Sequence, residues 1–169
     1  MDHRIKKFLF FIVLAGLLPL ARAVLPLDEW VASLGNTIGE ASFGTDLTSY
    51  LLGFSEPSTG PWFPQSFTWC YYVPLLTMTL YYYVLDRPGL RDAGTWLLFV
   101  GAAALVVAVW AYVIVARNDG VVPLLEEVGV GARLVWALLN FLFAALLGTL
   151  FSLALAPAAV STRLTPFGR

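Results

Sequence analysis

Charge is what this sequence lacks most. Only 12% of its 169 residues are Asp, Glu, Lys or Arg, against 59% hydrophobic and 15% aromatic. Soluble domains carry roughly 25% charged residues, and a soluble protein this small has too little interior to hide so much apolar surface. A net charge of −1 supplies no basic face to hold phosphates, so a nucleic-acid partner is excluded. One cysteine, Cys70, excludes an internal disulfide, a CxxC redox pair and a thiolate zinc site. One histidine, His3, leaves no His pair for haem, copper or zinc. The composition is that of an all-α integral membrane protein.

Long apolar runs are what the sequence has instead. A membrane-crossing helix needs about 20 such residues, and three stretches qualify without ambiguity. Residues 67–85 carry no charge and run into Asp86, Arg87, Pro88 and Gly89, a turn signal. Residues 95–116 are closed by Arg117. Residues 134–157 open after Arg133 and end at Pro157, a poor residue inside a helix.

The first run has two readings. Arg4, Lys6 and Lys7 precede an apolar stretch from Phe8, and Ala21-Arg22-Ala23 follows Pro19. A basic start, a short apolar core and an A-x-A site are the marks of a secretory leader. Alternatively residues 8–27 are a retained first span, with Arg22 reaching to the outer headgroups. The expected architecture is therefore four transmembrane helices, or three if residues 1–23 are removed.

Both readings give one orientation. Segments 1–7, 86–94 and 161–169 hold seven bases and three acids, whereas segment 26–66 holds five acids and no base. Segment 118–131 adds Asp119, Glu126 and Glu127. Lys and Arg collect on the cytoplasmic side. Both termini are expected inside and both acidic loops outside, in a bacterial or archaeal cell membrane.

The outer segment 28–66 is too apolar for a free linker. Asp28 can cap a helix with Trp30, Val31, Leu34 and Ile38 on one face, and Thr45 or Asp46 a second with Leu47, Tyr50, Leu51 and Phe54. Two short amphipathic helices are expected there, on the membrane surface or as a lid over the bundle. Residues 57–64 read as rigid turns displaying Trp62 and Phe63. These two either anchor the loop at the interface or offer a contact to an outer partner.

Two stripes of small residues mark where helices approach closely. Asn140, Ala144, Gly148 and Ser152 recur every four residues in the last span. Gly101, Ala104, Ala108 and Ala111 recur at spacings of three and four in the one before, the period of a left-handed seam. An Asn facing lipid leaves its amide unpaired at a cost, so Asn140 is expected to face protein, in its own chain or in a second subunit. Pairing the two stripes is the simplest arrangement. Trp69, Tyr71 and Tyr72 open the second span and Tyr81, Tyr82 and Tyr83 close it. They read as interfacial belts, or alternatively as a stacking pocket for a quinone, pigment or sterol. Pro74 frees a carbonyl near Cys70, for which Thr77, Thr79 or water are candidate donors.

The last three spans contain no ionisable Asp, Glu, Lys, Arg or His, which argues against a proton- or ion-coupled transporter. Paired aspartates, a Ser with a base and an HExxH motif are also missing, so no catalytic, cofactor-binding or metal-ligating residue is assigned and an enzyme is not expected. Two functions stay open. One is a non-catalytic accessory or scaffold subunit of a larger membrane complex, with the lipid bilayer and other membrane-protein subunits as partners. The other is a self-assembling pore, sensor or stress or defence effector, in which Asn140, or Thr77 with Thr79, lines a polar seam between copies. The direction in which Asn140 points discriminates between them.

Overall fold

The structure, a computed structural model, describes residues 3–26, 62–85, 92–117 and 123–156. These fold as four helices: α1 (His3–Val24), α2 (Trp62–Thr79, continued by one π turn, Leu80–Val84), α3 (Ala93–Arg117) and α4 (Pro123–Leu155). Three are long and apolar enough to cross a membrane, over Ile5–Val24, Ala93–Ile114 and Arg133–Leu155. The amphipathic helices expected within 28–54 lie outside the described residues.

The exception is α2, and its position explains why. It touches α1, α3 and α4, and Leu75, Met78, Tyr81 and Tyr82 have no exposed surface. Its exposed large side chains are Trp69, Leu76, Leu80 and Val84, which fall on one stripe at spacings of seven and four. A helix with three protein neighbours gives most of its circumference to protein, so it carries tyrosines, threonines and a proline at no cost in lipid contact. The α3–α4 contact is the most extensive in the fold. At the other extreme, α1 leaves most of its surface open and leans on α2 alone among the larger helix contacts.

Each helix boundary has a local cause. Asp92 caps α3: its carboxylate accepts the Thr95 backbone N–H at 2.7 Å and the Thr95 hydroxyl. Those two bonds hold the Asp92 carboxyl below its ordinary range. Pro123 opens α4, at the position where a missing N–H costs nothing. That helix is 33 residues, about 50 Å long, well beyond the ~30 Å hydrocarbon layer. It therefore includes residues 123–131, which the sequence placed in an outer loop. Pro64 sits in the first turn of α2, where proline is tolerated. Trp62 and Phe63 thus begin a helix rather than stand in the turns before it.

Candidate functional site

The four helices are stitched by polar contacts, most of which run through α2 or its π turn, with Trp96 and Ser152 joining α3 to α4 directly. Cys70 Sγ donates to Asn140 Oδ1 at 3.3 Å, and Asn140 Nδ2 donates to the Trp136 carbonyl one turn back at 2.9 Å. The amide is thereby used at both ends, within one chain. Cys70, Ala104, Val107 and Ala144 form a buried cluster around this contact, so α2, α3 and α4 meet there.

Ser152 makes the second stitch. Its Oγ accepts from Trp96 Nε1 at 2.8 Å and lies 2.5 Å from the Tyr82 hydroxyl, which joins α4, α3 and the π turn at a single oxygen. The π turn is defined by the Leu85 N–H donating to the Leu80 carbonyl at 2.8 Å, five residues back. Tyr81 packs edge-on against Tyr82 at 4.8 Å and at a tilt against Phe99 at 5.1 Å.

The third set ties α1 to α2 in antiparallel fashion. Tyr71 and Tyr72 hydroxyls donate to the Leu14 and Ala15 carbonyls at 2.6 and 3.2 Å. Toward one end Arg22 Nη1 donates to Thr68 Oγ1 at 3.0 Å, with the guanidinium over the Phe67 ring. Toward the other, Lys7 Nζ stands 5.2 Å from the centre of the Tyr83 ring.

The α4 stripe is enclosed along its length: Asn140, Ala144, Gly148 and Ser152 are all buried. A Cβ added at Gly148 would touch Pro74 Cβ and Val100 Cγ1 at 3.6 Å, so this glycine lies where α4 faces both α2 and α3. On α3, Ala104, Ala108 and Ala111 are buried and Gly101 is half-buried, with open space where its Cβ would be. Val100, Ala103 and Val107 are buried on α3 as well, which the small-residue spacing alone did not reveal. Of the opposite α3 face, Leu97, Val106 and Val109 are exposed, but Phe99 packs on Tyr81 and Trp110 on Trp69. The side chains of Trp62 and Phe63 lie outside the described set.

Two expectations change. Thr77 and Thr79 donate to the Val73 and Leu75 carbonyls of their own helix at 2.8 and 2.7 Å. Neither serves the Cys70 carbonyl freed by Pro74, because a threonine on a helix reaches its own i−4 carbonyl first. Three of the tyrosines expected in belts face inward instead: Tyr71, Tyr81 and Tyr82 are buried and spend their rings on internal packing, whereas Tyr72 and Tyr83 are half-buried. The residue that fits an interfacial anchor is half-exposed Trp69, whose ring meets that of Trp110 at a tilt.

Among the described residues no three His, Cys, Asp or Glu side chains converge. Comparison of the chain with protein-family models, curated proteins and solved structures found no match.

Proposed function

We propose that this chain is a non-catalytic accessory or scaffold subunit of a larger membrane complex, with both termini inside, its acidic loops outside, and α2 crossing the bilayer amid the other three helices. The observation that carries the reading is the direction of Asn140. Its amide oxygen and nitrogen are both engaged by Cys70 and Trp136 of the same chain, rather than offered to an axis between copies.

The hydroxyls point the same way. Thr77, Thr79 and Thr149 bond their own helices, and Ser152 is held by two neighbours. A pore wall needs polar groups turned outward to water; here the threonine hydroxyls are engaged within their own helices and Ser152 between helices. What the bundle turns outward is oil. Leu134, Leu138, Leu142, Leu146 and Leu150 form an exposed ladder on α4, suited to acyl chains or to the apolar flank of another subunit.

The test is purification of the tagged chain in mild detergent at native expression level, with identification of everything that co-elutes. Foreign subunits in stoichiometric amount support the reading. A clean homo-oligomer that conducts ions in a planar bilayer overturns it.

A further inference from the structure

Pro19 sits inside α1 and has no N–H, so the Ala15 carbonyl four residues back has no helical donor. Within a membrane such a carbonyl needs a partner from elsewhere in the protein. The structure supplies one: the Tyr72 hydroxyl, 57 residues along the chain, donates to it at 3.2 Å. Tyr71 donates to the adjacent Leu14 carbonyl at 2.6 Å, and Leu14 and Leu18 belong to the same buried cluster as Tyr71, Leu75 and Phe151. This is a fitted joint, placed where α1 is weakest.

The same helix ends in a leader-like sequence. Ala21-Arg22-Ala23 has small residues at the two positions that a membrane leader peptidase reads before its cut. Here those residues are helical. The Leu25 N–H donates to the Ala21 carbonyl at 2.8 Å, and Arg22, between the two alanines, is pinned to Thr68 and stacked on Phe67. Proteolysis favours unstructured chain; Ala23 and Val24 are exposed, but they form the last turn of a helix fastened to its neighbour, so it is the conformation of the bond and not its burial that is guarded.

We propose that docking of α1 on α2 keeps a latent processing site shut: the Ala23–Val24 peptide bond, whose cleaving partner is a membrane peptidase that selects small residues one and three positions before the cut. The chemistry is hydrolysis alone. Water adds across the Ala23–Val24 bond, leaving a carboxylate on Ala23 and an ammonium on Val24. A docked chain keeps α1; a chain whose α1 fails to find α2 loses it. The inference rests on the membrane reading with the N-terminus inside, since that orientation brings residues 21–24 to the outer face where such peptidases act.

The experiment uses the full chain with a C-terminal tag, produced in bacterial cells with an active leader peptidase. Membranes are isolated, and the intact mass and N-terminal sequence of the chain are determined. Tyr72→Phe with Thr68→Val removes two donor–acceptor pairs while keeping side-chain bulk. Two hydrogen bonds lost are expected to raise the ratio of chain beginning at Val24 to intact chain by about tenfold or more. Adding Ala23→Leu is expected to restore intact chain. Scoring a ratio makes the result independent of yield, and Arg22→Gln repeats the test from the α1 side if the double variant accumulates poorly.

Wild-type chain that already begins at Val24 overturns the proposal. So does a double variant that stays intact, or one whose shortening survives Ala23→Leu. Chain recovered outside the membrane fraction overturns the membrane reading and this proposal together, whereas membrane-embedded wild-type chain beginning at Val24 overturns this proposal alone.

Discussion

The thiol of Cys70 and the side-chain amide of Asn140 meet in the interior of one chain, Sγ to Oδ1 at 3.3 Å, although 70 residues separate them. A thiol is a weak donor, so the contact contributes modestly to stability, but it fixes which way α4 is rotated against α2. Cys70→Ala and Asn140→Leu are each expected to destabilise the bundle by about 1 kcal/mol, with a coupling near 0.6 kcal/mol in a double-mutant cycle. Reversible unfolding in detergent or bicelles measures it; a coupling of zero would mean that the pair does not interact.

Gly148 and Gly101 belong to equivalent-looking stripes yet differ in what surrounds them. Gly148→Ala places a methyl in ordinary contact with Pro74 and Val100 at 3.6 Å and is expected to be tolerated. Gly148→Leu overfills that junction and is expected to cost about 1–3 kcal/mol. Gly101→Ala meets nothing within 4 Å and is expected to stabilise α3, by up to about 1 kcal/mol of helix propensity. Thermal unfolding of the three variants ranks them, and equal effects at Gly148 and Gly101 would contradict the packing described.

Ser152 holds two partners from two helices. Ser152→Ala removes the acceptor for Trp96 Nε1 and the partner of the Tyr82 hydroxyl together, at an expected cost of about 1–3 kcal/mol. Adding Trp96→Phe to Ser152→Ala is expected to cost less than the sum of the single changes, because the stranded N–H goes with the ring. Unfolding midpoints of the singles and the double decide it. Strict additivity would place the two groups out of contact.

How much of this was legible beforehand depends on the range over which each signal acts. Helix formation is local, and the uncharged runs ending at Arg117 and opening at Arg133 mark α3 and the apolar part of α4. The small residues from Asn140 to Ser152 are equally visible, since four residues is one helical turn. Their partners are not: nothing near Asn140 names Cys70, and nothing near Pro19 names Tyr72. The tyrosines of α2 look like belts because their spacing matches the bilayer, and only the three-sided enclosure of that helix turns Tyr71, Tyr81 and Tyr82 inward. The π turn at Leu80–Val84 has no composition of its own. The early start of α4 was obscured by Glu126, Glu127, Gly129 and Gly131, which resemble a loop. Asp92 with Thr95 three residues later is a capping pattern that could have been read, and it marks the start of α3.

That cap makes a pH prediction. The Asp92 carboxyl is held below its ordinary range by the Thr95 hydroxyl and backbone N–H. A depressed folded-state value means that the cap's contribution is full above the unfolded carboxylate pKa and disappears as pH falls through the lowered one. Stability is therefore expected to fall below the ordinary carboxylate range, in part through Asp92, and Asp92→Ala to flatten that part of the profile. An identical acid slope in Asp92→Ala would remove Asp92 from the account.

The most direct test of an inward-facing Asn140 uses the chain's own single cysteine. Asn140→Cys creates a two-cysteine protein in which the second thiol stands where the amide met Cys70. After mild oxidation in membranes, the account predicts a bridge between positions 70 and 140 within one chain, seen as a monomer carrying that linked peptide. Disulfide-linked dimers through position 140 would contradict it, turn Asn140 towards a second copy, and return the self-assembling pore as the better reading.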